Sequence, residues 1–140
     1  MPHYQANAYK QTRVKTAGQG QIIVMLYDEA LKQIDIAVEL LRENTRELDK
    51  VNTAILKARD IITELMVSLD MEKGGQFAAQ MFSVYQWFNE QLMEGNLKKK
   101  STPLITVRDM MSEIRTAWNE ISRSTAIDDS DNVQGVNIAR

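Results

Sequence analysis

KTAGQGQIIVMLYDEALKQI, residues Lys15–Ile34, carries apolar side chains around most of the circumference of the helix it predicts. A surface helix of a small domain needs an apolar stripe somewhat over about 100° wide, because only one side faces the core. Wound at about 100° per residue, the apolar positions from Ile22 to Leu41 sweep roughly 240°, interrupted mainly by Glu29 and Gln33. That breadth needs more than one neighbour to cover it.

Outward from this stretch the chain reads as nearly all helix, with two prolines and six glycines in 140 residues. The first helix is expected over 20–42, after a polar arm over 1–15, with Thr16 or the Gly18-Gln19-Gly20 turn at its start. Ile55, Ala58, Ile62, Leu65 and Leu69 repeat at three-four spacing and predict a second helix over 52–70, capped by Asp49 or Asn52. Gly74 and Gly75 permit the backbone angles of a helix stop. A third helix is expected over 76–97, and it is as broadly apolar as the first, with Phe77, Met81, Phe82, Val84, Tyr85, Trp87, Phe88, Leu92 and Met93. Lys98, Lys99 and Lys100 then stand where a helix carboxyl end favours cations. Thr102 as N-cap and Pro103 at the first helical position open a fourth helix over 103–122, whose seam is Leu104, Val107, Met111, Ile114, Trp118 and Ile121. After Ser122 the periodicity ends, and 123–140 reads as a flexible tail on a single domain spanning 1–122. Four helices joined by short connections predict an all-α, antiparallel up-and-down four-helix bundle.

Composition narrows the function classes. The net charge of -2 argues against phosphate neutralisation, hence against a nucleic-acid partner. The amino terminus MPHYQANAYK lacks the apolar stretch of a signal peptide, and no run approaches the roughly 18 apolar residues of a membrane span, so a cytoplasmic protein without stable membrane insertion is expected. The absence of cysteine removes disulfides and thiolate metal sites. His3, the one histidine, lies in the arm, so no catalytic triad and no Glu-x-x-His metal pair is legible, and neither a catalytic site, a metal nor a cofactor is expected. Arg42, Arg46, Arg59, Arg108 and Arg115 are the residues an anion-binding enzyme would use, and nothing in their spacing positions them.

Two broad helices carry more apolar surface than one core covers, and contiguous leftover patches mark binding surfaces. Eight methionines suit a surface that adapts to a helical partner lying between two bundle helices. The third helix taken alone reads as core; both helices together favour a groove, with a weak homodimer as the competing way to bury the same surplus.

The order of features resembles the flagellar secretion chaperone family FliS, which binds flagellin. Tyr9 and Val14 precede Thr16-Ala17, then come Met25-Leu26-Tyr27-Asp28, Lys57-Ala58, Ile61-Ile62, Leu69-Asp70 with Glu72-Lys73-Gly74-Gly75, Tyr85, Asn96 and Ala117-Trp118. The similarity covers roughly Tyr9 to Ile121. Two positions depart from the family pattern: Gly18-Gln19 replaces the common Ser-Pro, and Glu29 stands where glycine is frequent. The resemblance implies binding of the carboxy-terminal segment of flagellin and, once loaded, contact with a component of the export gate. The surplus apolar residues of the first and third helices are then the candidates for holding that segment, Leu26, Tyr27, Leu31, Ile34, Tyr85 and Phe88, which periodicity does not divide between core and groove. In the same reading Tyr9 of the arm is also client-binding and folds over the groove when the client is absent. Tyr9→Ala is therefore expected to change affinity for flagellin's carboxy-terminal segment while leaving the melting temperature in place, measured by titration and thermal denaturation side by side.

Overall fold

The computed structural model describes the backbone of residues 2–139 and the side chains of residues 18–124. Its regular structure is helical throughout: α1 (Pro2–Arg42), α2 (Leu48–Val67), α3 (Gly75–Lys98) and α4 (Ser101–Ala139). The expected role of Tyr9 in the arm, and the side chains of the tail beyond Ser124, lie outside the described side chains.

Local chemistry explains where the helices begin and end. Gly18 interrupts α1 with φ 79° and ψ 165°, backbone angles that essentially only glycine adopts. At the other end Asn44 turns left-handed, with φ 52°, and the N–H groups of Asn44 and Thr45 donate to the Leu41 and Leu40 carbonyls. α2 then starts earlier than the spacing predicts. Its N-cap is Glu47, whose own N–H donates to Thr45 Oγ1 at 3.0 Å, and neither Asp49 nor Asn52 caps it. Asp49 occupies the first turn, where a negative charge suits the helix dipole. Asn52 reaches across to α3 instead. In the connection to α3, Asp70 Oδ1 accepts the N–H groups of Glu72 and Lys73, and a Cβ on Gly74 would stand 2.7 Å from the Asp70 carbonyl oxygen. α3 closes on a left-handed Lys99, with Lys100 N–H returning to the Gly95 carbonyl. Helix α4 begins at Ser101, which leaves Pro103 inside the first turn, where its missing N–H costs nothing.

The chain divides into two compact units, 26–113 and 1–25 together with 114–140. In the first, segments of all four helices enclose one apolar core. It comprises Tyr27, Ile34 and Val38 of α1; Val51, Ile55, Ile62 and Leu65 of α2; Tyr85, Phe88 and Leu92 of α3; and Leu104, Val107 and Met111 of α4. Each large side chain fully buried there contributes about 1.5–3 kcal/mol relative to exposure. The fold is the predicted all-α antiparallel four-helix bundle, and α2 and α3 form an antiparallel pair joined near both ends.

In the second unit α1 and α4 meet through small residues. A Cβ on Gly20 would lie 2.9 Å from the Cβ of buried Ser122. So close a crossing selects small side chains, and Ile121, which the spacing puts in the seam, is turned outward and 56 % exposed.

A similar approach joins α3 to α4 in the first unit, where a Cβ on Gly95 would stand 2.7 Å from Leu104 Cδ2. Overpacking a buried contact costs about 1–3 kcal/mol, against a helix-propensity gain of about 1 kcal/mol for alanine over glycine. Gly95→Ala is expected to lower the stability by a net ~1 kcal/mol, read as a lower urea midpoint at unchanged slope.

Candidate functional site

The residues singled out on α1 and α3 come together, and they come together in the core. Tyr27, Ile34 and Phe88 are fully buried, Leu26 and Tyr85 nearly so, and Leu31 is half-buried. α1 meets α3 through Tyr27 and Tyr85 and approaches α4 where Arg108 Nη1 lies 3.5 Å from Asp35 Oδ1. Two neighbours on different sides account for the breadth of its apolar arc. Even Gln33, which breaks that arc, is buried, and its amide donates to Glu29 Oε1 at 3.2 Å. The outward side of α1 is a shallow strip in which Asp28, Asp35, Glu39 and Glu43 alternate with Leu31, Ile36 and Leu40. It is a charged surface with apolar islands.

The larger exposed apolar surface belongs to α2 and α3. Leu48, Leu56 and Val67 are exposed on α2, and Phe77, Phe82, Met93 and Leu97 on α3. Val67 and Leu97 reach 80 % and 78 % exposure, values at which a large apolar side chain does no work in the core. A polar seam runs between these helices. Asn96 Nδ2 donates to Asn52 Oδ1 at 2.8 Å, and Asn89 Nδ2 donates to Thr63 Oγ1 at 3.3 Å and lies 3.9 Å from Met66 Sδ. Leu56 follows Asn52 by one turn, Met93 follows Asn89, and Leu97 follows Met93, so these side chains border the seam on its solvent side. The sequence pattern did not single out α2, because its core stripe is narrow and regular; the available sign was that Leu48, Leu56 and Val67 fall outside that stripe.

Basic residues near this surface act locally. Lys98 pairs with Glu94, Lys99 with the Asn96 side chain, and both lie at the carboxyl end of α3, where the dipole favours them. Arg42 pairs with Glu39 and Arg108 with Asp109 as well as Asp35. No group of three His, Cys, Asp or Glu side chains that could hold a metal ion occurs among the described residues. Nor is any described helix long and apolar enough to cross a membrane.

Comparison with known proteins gives a consistent answer. The family model described as flagellar protein FliS matches residues 1–125. A flagellar secretion chaperone FliS of Bacillus subtilis (strain 168) is 29 % identical over 117 residues, covering 84 % of this chain and 85 % of the relative. That of Salmonella typhimurium is 30 % identical over 121 residues, covering 86 % and 88 %, and that of Escherichia coli K12 is 28 % identical over 111 residues, covering 79 % and 80 %.

Within the core the two tyrosines are joined hydroxyl to hydroxyl at 2.8 Å, with ring centroids 6.3 Å apart. Burial raises the Tyr85 phenol above the ordinary value of 10.0, and the hydrogen bond to Tyr27 offsets part of that rise. In the unfolded chain Tyr85 ionises near the ordinary value while the folded protein still holds its proton, so the unfolded state is favoured as pH climbs. The stability tied to Tyr85 is present below pH about 10 and falls as pH rises through the folded value. Urea denaturation from pH 8 to 11 is expected to show this loss, and Tyr85→Phe to make the fall shallower.

Proposed function

The chain belongs to the flagellar protein FliS family, and from that membership we propose that it is a cytoplasmic export chaperone for flagellin. In this reading it binds the disordered carboxy-terminal segment of flagellin on an apolar helical surface, prevents premature polymerisation and aids delivery to the flagellar type III export apparatus. Once loaded, the complex engages a component of the export gate. The curated relatives are named as secretion chaperones, which supports a role in holding and handing over a client rather than in catalysis.

The observation that carries the reading is the set of strongly exposed apolar side chains on α2 and α3. A bundle that keeps Val67 and Leu97 in water presents them to something. A disordered segment that folds as it binds suits this surface, because it buries a large apolar area while its ordering cost keeps the complex reversible. Tyr9 and Leu31 are assigned to direct contact with the client; Leu26, Tyr27, Ile34, Tyr85 and Phe88 shape the helices from behind.

Calorimetric titration with the carboxy-terminal segment of flagellin from the same cell tests this directly. Saturable binding with a large negative heat-capacity change is expected. A stable homodimer that ignores the segment would show instead that the exposed residues serve self-association.

A further inference from the structure

At one end of the α2–α3 pair two short stretches of chain meet. The 2.8 Å bond from Asn96 Nδ2 to Asn52 Oδ1 sets those residues level on antiparallel helices, so Leu48, one turn before Asn52, is level with Lys100, one turn after Asn96. Residues 46–50 and 97–100 therefore share a corner of the bundle. They hold five cations, Arg46, Lys50, Lys98, Lys99 and Lys100, against two acids, Glu47 and Asp49. Their two apolar side chains, Leu48 and Leu97, are 45 % and 78 % exposed. Lys50 and Lys98 form exposed ion pairs with Glu47 and Glu94, contacts weak enough to exchange in water, and Arg46 and Lys100 stand exposed beside them. Two helices, α2 and α4, begin here at Leu48 and Ser101 and add the positive ends of their dipoles, while Lys98 and Lys99 offset the negative end of α3. Taken singly these cations serve local contacts; together they make a basic patch with leucines in it.

We propose that this corner docks on an anionic phospholipid surface, with the cations against the headgroups and Leu48 and Leu97 entering the interface between them. The proposal goes beyond the chaperone reading and does not rest on it. Clusters of roughly four to eight Lys or Arg suffice for headgroup attraction, and each cation near such a surface adds about fivefold to partitioning (~1 kcal/mol). With two leucines and no long apolar helix, the contact is peripheral and reversible. The net charge of -2 on the whole chain does not oppose it, because exposed charges more than about 8 Å away are largely screened at physiological salt. A lipid surface fits better than the other polyanions and partners. A nucleic acid would meet the cations and leave both leucines in water, and a second copy of this chain would set cation against cation. The cations come from two separate stretches with no shared helical register, which suits mobile headgroups that gather beneath them rather than the fixed spacing of a partner helix.

The test is co-sedimentation of the full-length protein with vesicles of phosphatidylcholine alone and of phosphatidylcholine mixed equally with phosphatidylglycerol, with melting of every variant by circular dichroism. The wild type is expected to partition onto the anionic vesicles only, and to leave them as salt rises. Arg46→Gln combined with Lys100→Gln is expected to weaken that partitioning by about tenfold or more at an unchanged melting temperature. Leu48→Ser is expected to weaken it several-fold, whereas Lys73→Gln, at the opposite end of the α2–α3 pair, leaves it unchanged. Equal recovery on both vesicle types, recovery on neither, or the same loss for Lys73→Gln as for Arg46→Gln alone overturns the proposal. Full partitioning of Leu48→Ser overturns it as an interfacial site, and binding of a DNA duplex without binding of vesicles assigns the corner to nucleic acid instead. Titration of the same variants with the carboxy-terminal segment of flagellin separates the two readings. The Arg46→Gln, Lys100→Gln protein is expected to bind the segment as the wild type does, and a parallel loss gives the corner to the client and overturns the lipid site. Segment binding without vesicle binding overturns this corner alone; vesicle binding without segment binding overturns the chaperone reading alone.

Discussion

Two phenol hydroxyls sit in the core of the bundle, one from α1 and one from α3, and neither Tyr27 nor Tyr85 is measurably in contact with water. A buried hydroxyl without a partner costs about 1–3 kcal/mol, so the 2.8 Å bond between them constrains more than two side chains. It fixes how far α3 is rotated about its own axis and where along α1 it sits. With Tyr85 turned inward, Phe88 and Leu92 follow it into the core at helical spacing, and Phe82, Met93 and Leu97 are carried to the outside. Which apolar residues of α3 meet solvent is thus decided by a polar contact inside.

The α2–α3 seam applies the same logic at the surface. Paired amides at Asn52–Asn96 and a shared contact at Thr63–Asn89 hold two helices in antiparallel register without using the apolar side chains that flank them. Those side chains remain available. Their neighbours on either helix are charged or polar, as with Asp49, Lys57 and Asp60 on α2 and Glu90, Glu94 and Lys98 on α3. Charges of both signs set among these apolar side chains break the surface into separate patches rather than one continuous apolar area.

Much of the fold was legible along the chain. The stripe Ile55, Ala58, Ile62 and Leu65 is buried as its spacing predicts, and so are Leu104, Val107 and Met111 in α4. Ordered residues such as Met25-Leu26-Tyr27-Asp28 and the Gly74-Gly75 stop sufficed for the family. The helix starts were less legible, because a cap is a competition among nearby groups: Glu47 and Thr45 begin α2, while Asn52 is drawn to a partner on α3. The breadth of α1 was visible, but its cause was not, since a wide arc describes a helix with two neighbours as well as it describes a helix with a surplus.

By itself, then, the sequence determined the properties that depend on residues close in the chain: helical periodicity, the central stripe of each helix, the glycine breaks and the family pattern. Tertiary structure alone decided what each wide face meets. Burial depends on how many neighbours a helix has, and no period in its own sequence encodes that number. Leu26, Ile34 and Phe88 are therefore core, while Leu56 and Val67, on a helix with a narrow and regular stripe, are exposed. Arg59 makes the point most sharply: its Nε is buried without a hydrogen-bond partner among the described residues, and an arginine on the side of a helix carries no local mark of that.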